Sequence, residues 1–139
     1  MKLDLSSLRK AIVSLGKTLK VADSGLTAGL DNDTKDAIRA GAIQNFEFTY
    51  ELCWKFMKRL LEGNLGSAHV EGVTRRELFR LSAENRLLTD VDKWMEYHDA
   101  RTEPAHTYDE DTAKDVFETA RIFLADAKKL LQALEARND

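Results

Sequence analysis

Only one proline, Pro104, interrupts the 139 residues, and on both sides of it the apolar residues recur at spacings of three and four. That combination restricts the chain to helices, because proline-free amphipathic runs of this period close one apolar stripe per helix. Leu5, Leu8, Ile12, Leu15, Leu19 and Ala22 mark a first helix that fades at Ser24-Gly25. Asp33 reads as the N-cap of a second, running to about Glu62 before Gly63-Asn64. It carries two stripes, one through Ile38, Ala42, Phe46, Cys53, Met57 and Leu60, the other through Ile43, Tyr50, Trp54 and Leu61. A helix that is apolar on two sides needs cover on two sides. A second copy of the chain would supply it, and so would a central position within one subunit.

Residues 63–73 read as a connection. Thr74 caps a shorter helix with Leu78, Phe79 and Leu81, and Thr89 or Asp90 opens another with Val91 and Trp94. Pro104 stops that helix, since a proline inside it removes a hydrogen bond and clashes with the carbonyl of residue 100. A last helix starts near Asp109, with Thr107 or Asp109 as cap. It buries Val116, Phe117, Ala120, Phe123, Leu124, Ala127, Leu130, Leu131 and Leu134, ending near Ala136. The expected fold is all-α: a single domain over 1–139, an antiparallel up-and-down bundle of four-helix type plus a short helix, assembled as a homodimer.

The formal charge of −3 argues against a protein that relies on non-specific nucleic-acid affinity, which needs many cationic phosphate contacts. A small local RNA site remains compatible with it. The lone Cys53 sits in an apolar run and has no partner for an intramolecular disulfide. The N-terminal residues lack a signal-peptide core, and no run of 18 apolar residues exists, so a cytoplasmic setting without membrane association is expected.

The break itself reads Arg101-Thr102-Glu103-Pro104-Ala105-His106-Thr107-Tyr108. On an unbroken helix, Arg101 and His106 would point about 140° apart. With the helix interrupted at Pro104, Arg101 leaves the end of one helix while His106 enters ahead of the next, and the two can converge. Tyr108, two residues on in an extended stretch, projects from the same side of the backbone as His106. Arginine's fork suits phosphate oxygens, and histidine gives or takes a proton near neutrality. Those are the requirements for RNA cleavage by its own 2′-hydroxyl: a base, an acid and a cation, with no metal. One chain offers a single histidine at the break, and a two-fold dimer offers two.

Other chemistry-bearing residues read more simply. His98 and His106 with Asp99 match no standard zinc spacing. His69 lies in a glycine-bearing connection. Arg75, Arg76 and Arg80 form a basic neighbourhood that would touch RNA or an acidic partner, or else make a solvated face. Phe46, Trp54 and Trp94 fall at core spacings. No phosphate-cradling glycine loop is present, so the chain itself is not expected to bind ATP.

Arg101-x4-His106, extended to Tyr108, resembles the R-x4-H-x-Y motif of HEPN domains, the helical toxins paired with minimal nucleotidyltransferase antitoxins. The stretch Phe46-Glu47-Phe48-Thr49-Tyr50-Glu51-Leu52-Cys53-Trp54-Lys55, and Trp94 leading into Arg101 and His106-Thr107-Tyr108-Asp109-Glu110, resemble the branch called nucleotidyltransferase substrate-binding proteins. The resemblance implies a dimeric bundle and a metal-independent endoribonuclease with no cofactor. In it Arg101 would stabilise phosphate charge, His106 would move protons, and Thr102 would support Arg101. It also implies that a cognate minimal nucleotidyltransferase adenylylates Tyr108 and thereby silences the toxin. The sequence departs from active members at Thr102, where they carry Asn, Asp or His. That departure favours the alternative implied role, a non-catalytic substrate-binding subunit of a two-component nucleotidyltransferase.

Overall fold

The computed structural model describes residues 2–23, 29–103 and 109–138. Among them are six helices and no strand: α1 (Ser6–Asp23), α2 (Asn32–Leu65), α3 (Ser67–Val70), α4 (Arg75–Glu84), α5 (Val91–Thr102) and α6 (Glu110–Ala136). The helix starts are set by short polar side chains that accept otherwise unpaired N–H groups of the first turn. Thr74 accepts from Glu77 N, as expected, while Asp90 accepts from Lys93 N and Asp109 from Asp111 N, each one of the two candidates the sequence offered at its helix start. On α2 the cap is Asp31 rather than Asp33, accepting from Thr34 N at 2.7 Å. The helix also outruns its expected end, passing through Gly63 and Asn64 to Leu65. Gly66 stops it with φ of +91°, a backbone state that suits glycine. The connection that follows is not purely loop, since it contains α3.

The bundle forms around α2. Thr49 of α2 donates to Asn45 O at 2.7 Å and approaches Ala11 O of α1 at 3.4 Å, and Asn45 donates to Thr18. Arg9 pairs with Glu135 at one end of α1 and Asp23 with Arg121 at the other, so α1 runs antiparallel to α6. Asn138 closes the bundle by giving and taking hydrogen bonds with the backbone of Leu3 at 2.8 and 2.7 Å. Leu8, Leu15, Phe46, Met57, Leu61, Phe123 and Leu134 are fully enclosed.

Most residues of both apolar stripes of α2 are buried inside the subunit, where α2 packs against α1, α6, α4 and α5. The two-sided pattern therefore has an intramolecular explanation and does not by itself call for a second copy. Cys53 is buried as a small apolar side chain, and burial pushes its thiol well above the usual range. No helix among the described residues is long and apolar enough to cross a membrane.

Candidate functional site

α5 brings the motif arginine to α2. Trp94, Tyr97, His98 and Arg101 fall at positions i, i+3, i+4 and i+7, so they share one helical face. The first two anchor that face. Trp94 and Tyr97 are 3% and 1% exposed and pack on Phe123 of α6 with ring centroids 5.7 and 5.0 Å away. Tyr97 also donates its hydroxyl to Asp126, and burial, reinforced by this carboxylate, pushes the Tyr97 hydroxyl far above its ordinary pKa. The last turn of α5 thus projects from a clamped base.

The facing stripe on α2 has the same spacing: Glu47, Tyr50, Glu51 and Trp54. Glu47 Oε2 accepts from Arg101 Nη1 at 3.2 Å, and Glu51 Oε1 lies 3.4 Å from Arg101 Nε. The second contact is an ion pair without a hydrogen bond, so Nε is shielded from solvent with no hydrogen-bond acceptor. Two carboxylates thus orient the guanidinium of an arginine whose side chain is 35% exposed. The guanidinium acts as an oriented cation and not as a proton carrier.

One turn earlier, His98 Nδ1 pairs with the Tyr50 hydroxyl at 2.9 Å. Burial, reinforced by the positive charge of Arg75, lowers the His98 pKa below the ordinary histidine value, while Asp99 and Glu51 oppose the shift. Tyr50 is itself fully buried, and burial raises its hydroxyl pKa far above normal. The pair is consequently neutral near pH 7. Glu51 also accepts from Trp54 Nε1 at 3.0 Å, and Arg75 of α4 lies flat on that indole, 3.5 Å from the ring centroid.

Of the residues singled out in the sequence, Arg101 sits in this cluster. Thr102 turns its hydroxyl back onto the carbonyls of His98 and Asp99, at 3.1 and 3.3 Å, so the hydroxyl is spent on the backbone of its own helix. α5 ends at Thr102, two residues before Pro104. His106 and Tyr108 lie outside the described residues. His98 is engaged by Tyr50, and no group of three or more metal-ligating side chains occurs among the described residues. Phe46 and Trp94 are core, as their spacing indicated; Trp54 is half-buried and carries a cation. Sequence reading missed Glu47, Glu51 and Tyr50 as partners of α5. The available signal was the polar-tipped stripe at 47, 50, 51 and 54, spaced i, i+3, i+4 and i+7 like the facing residues of α5.

Known proteins are similar to this chain in sequence and in fold. Residues 3–136 match the family described as nucleotidyltransferase substrate binding protein like. A Haemophilus influenzae protein named probable ribonuclease HepT is 34% identical over 139 residues, covering 99% of this chain and 95% of its own length. A solved H. influenzae structure, said to reveal the fold of a substrate binding domain of a nucleotidyltransferase, superposes with a TM-score of 0.87. It is 31% identical and covers 95% of this chain and 99% of its own. A Thermus thermophilus crystal structure superposes at 0.70 with 26% identity, covering 91% and 98% of the two chains.

Proposed function

Because the chain belongs to the nucleotidyltransferase substrate-binding family of HEPN type, we propose that it is a metal-independent endoribonuclease, the toxin half of a toxin–antitoxin pair. The observation that carries this reading is the mounting of Arg101: a cation at the end of a clamped helix, oriented by Glu47 and Glu51, immediately ahead of Pro104 and His106. A relative named probable ribonuclease supports the same activity.

In this mechanism His106 of one copy takes the proton from a ribose 2′-hydroxyl, and the 2′-oxygen attacks the adjacent phosphorus. Arg101 stabilises the negative charge that builds on the phosphorane oxygens. His106 of a second copy gives a proton to the departing 5′-oxygen, leaving a 2′,3′-cyclic phosphate and a free 5′-hydroxyl. One chain supplies one such histidine, which is why the active form is a homodimer with a composite site. Phe48, directly after Glu47 in the chain, is 57% exposed and offers apolar surface to the second copy. The off switch is AMP on Tyr108, transferred from ATP by a cognate minimal nucleotidyltransferase. Two residues from His106, the added group obstructs the histidine, and its phosphate competes for Arg101.

The second reading is a non-catalytic subunit that presents a substrate to a nucleotidyltransferase. The Thr102 hydroxyl, spent on backbone carbonyls and not on Arg101, favours it. Incubation with the cognate nucleotidyltransferase, Mg²⁺ and ATP separates the two. A toxin gains the mass of AMP on Tyr108 and none in Tyr108→Phe, and its RNA cleavage stops. A chain that binds the enzyme but stays unmodified belongs to the second reading.

A further inference from the structure

α4 begins with two arginines and carries a third one turn later, and the structure separates their fates. Arg76 pairs with Asp92 at 3.1 Å, and Arg80 with Glu77 at 3.7 Å. Arg75 has no carboxylate partner among the described residues. Its guanidinium lies on the face of Trp54, 3.5 Å from the centroid, with Nε shielded from solvent and without an acceptor. An arginine stacked flat on indole has its plane fixed in advance, so little rotamer entropy is left to lose when its outer N–H groups meet a ligand.

The stack is joined to the motif arginine through one side chain. Glu51 accepts from Trp54 Nε1 with Oε2 and faces Arg101 Nε with Oε1. Arg101 thus stands on one side of Glu51, and the Trp54 indole bearing Arg75 stands on the other. The field of Arg75 also reaches Tyr50 and His98, which lie between α2 and α5. Glu47 and Glu51 already balance Arg101 and much of the local charge, so a polyanion needs a further cation to be held here.

We propose that Arg75, stacked on Trp54, is a second phosphate-binding residue that holds the RNA strand at a phosphate next to the one cleaved at Arg101. The assignment rests on the ribonuclease reading and deepens it: Arg101 acts on the reacting phosphate, and Arg75 sets the strand's register. Arg76 and Arg80, occupied by Asp92 and Glu77, take no part in it.

The test is binding of a fluorescein-labelled single-stranded RNA of about ten nucleotides to His106→Ala protein across a KCl series. Adding Arg75→Gln weakens binding about tenfold near physiological salt. It also flattens the dependence of log K on log salt by about 0.7, the contribution of one phosphate contact on a single strand. Arg75→Lys restores the salt slope but not the full affinity, because a lysine ammonium does not stack as a plane. Arg76→Gln, read alongside, leaves the salt slope unchanged and changes the affinity by less than about twofold. Unchanged slope and affinity in Arg75→Gln, with both reduced in Arg101→Ala, overturn the role of Arg75 and leave the ribonuclease reading standing. Unchanged RNA binding with weakened binding to the nucleotidyltransferase also overturns it, making Arg75 a protein contact. Absence of RNA binding by every form sinks both readings. Thermal midpoints within about 3 °C of the parent confirm that the Arg75 variants are folded, and Trp54→Phe, which keeps an aromatic face, gives an intermediate loss of affinity.

Discussion

Phe123→Ala should be the most damaging single truncation in the bundle. Phe123 is fully buried, and its ring meets Phe46 and Tyr50 of α2 at 5.1 and 6.5 Å and Trp94 and Tyr97 of α5 at 5.7 and 5.0 Å. Removing a buried phenyl ring costs about 3–5 kcal/mol through lost transfer energy and the cavity left behind. Edge-to-face partners each add about 0.5–1.5 kcal/mol beyond buried area, and with four aromatic neighbours the loss sits at the top of that range, about 5 kcal/mol. An unfolding entropy near 2.1 cal/mol/K per residue gives about 0.3 kcal/mol/K for a chain of this length, so the thermal midpoint falls by about 15 °C. Scanning calorimetry at one fixed protein concentration reads it. Ile122→Ala, one position along and 51% exposed, is the internal control and moves the midpoint by less than about 2 °C. A drop under about 5 °C for Phe123→Ala, or equal drops for both, would refute the claim that this cluster clamps α5 to α2 and α6.

Glu51→Gln removes one of the two carboxylates that orient Arg101. Cleavage measured as kcat/KM should fall about 10–100-fold, the scale of a misplaced catalytic group, with a midpoint shift under about 3 °C because the pair is half-exposed. Faster cleavage would mean that Glu51 competes with phosphate and does not position the arginine. His98 has a native pKa below its unfolded value near 6.5, so the unfolded chain binds more protons in that window and stability rises with pH. The stabilisation from neutral His98, which faces Tyr50, Glu51, Arg75 and Asp99, is complete above about pH 6.5 and is lost as pH falls toward the lowered native value. Urea midpoints across about pH 5–7 should show that slope in the wild type and a flatter one in His98→Asn; equal slopes would count against it. Arg86 ends α4 in the left-handed region at φ 62°, with Leu87 N donating to Ser82 O and Arg86 N to Ala83 O. Arg86→Gly should raise stability by about 0.5–1 kcal/mol in urea titration, and destabilisation would contradict the strain.

The helices were legible because their determinants are local. Thr74, Asp90 and Asp109 cap where the sequence offers a short polar side chain ahead of a periodic run, and Pro104 lies just beyond the end of α5. Reading erred where two local solutions compete. Asp31 and Asp33 are both competent caps, and α2 continued through Gly63-Asn64 because a glycine inside a long, packed helix costs only about 1 kcal/mol. Arg86 was equally hidden, since the left-handed end of α4 is made by a residue with no sequence signature for it. In the candidate site, Arg101 was singled out through its spacing to His106 and its likeness to a motif. Its partners were not found, because Glu47 and Glu51 lie about 50 positions away in the chain. Which carboxylate meets which guanidinium depends on the rotation of α5, and that rotation is set by Trp94 and Tyr97 against Phe123. The same tertiary placement distinguishes Arg75 from Arg76 on adjacent positions.

The most direct measurement is cleavage of single-stranded RNA in EDTA by purified protein whose intact mass shows no AMP, beside Arg101→Ala and His106→Ala. The account predicts fragments ending in 2′,3′-cyclic phosphate from the wild type and none from either variant. An inert wild type, or cleavage that survives His106→Ala, would contradict it.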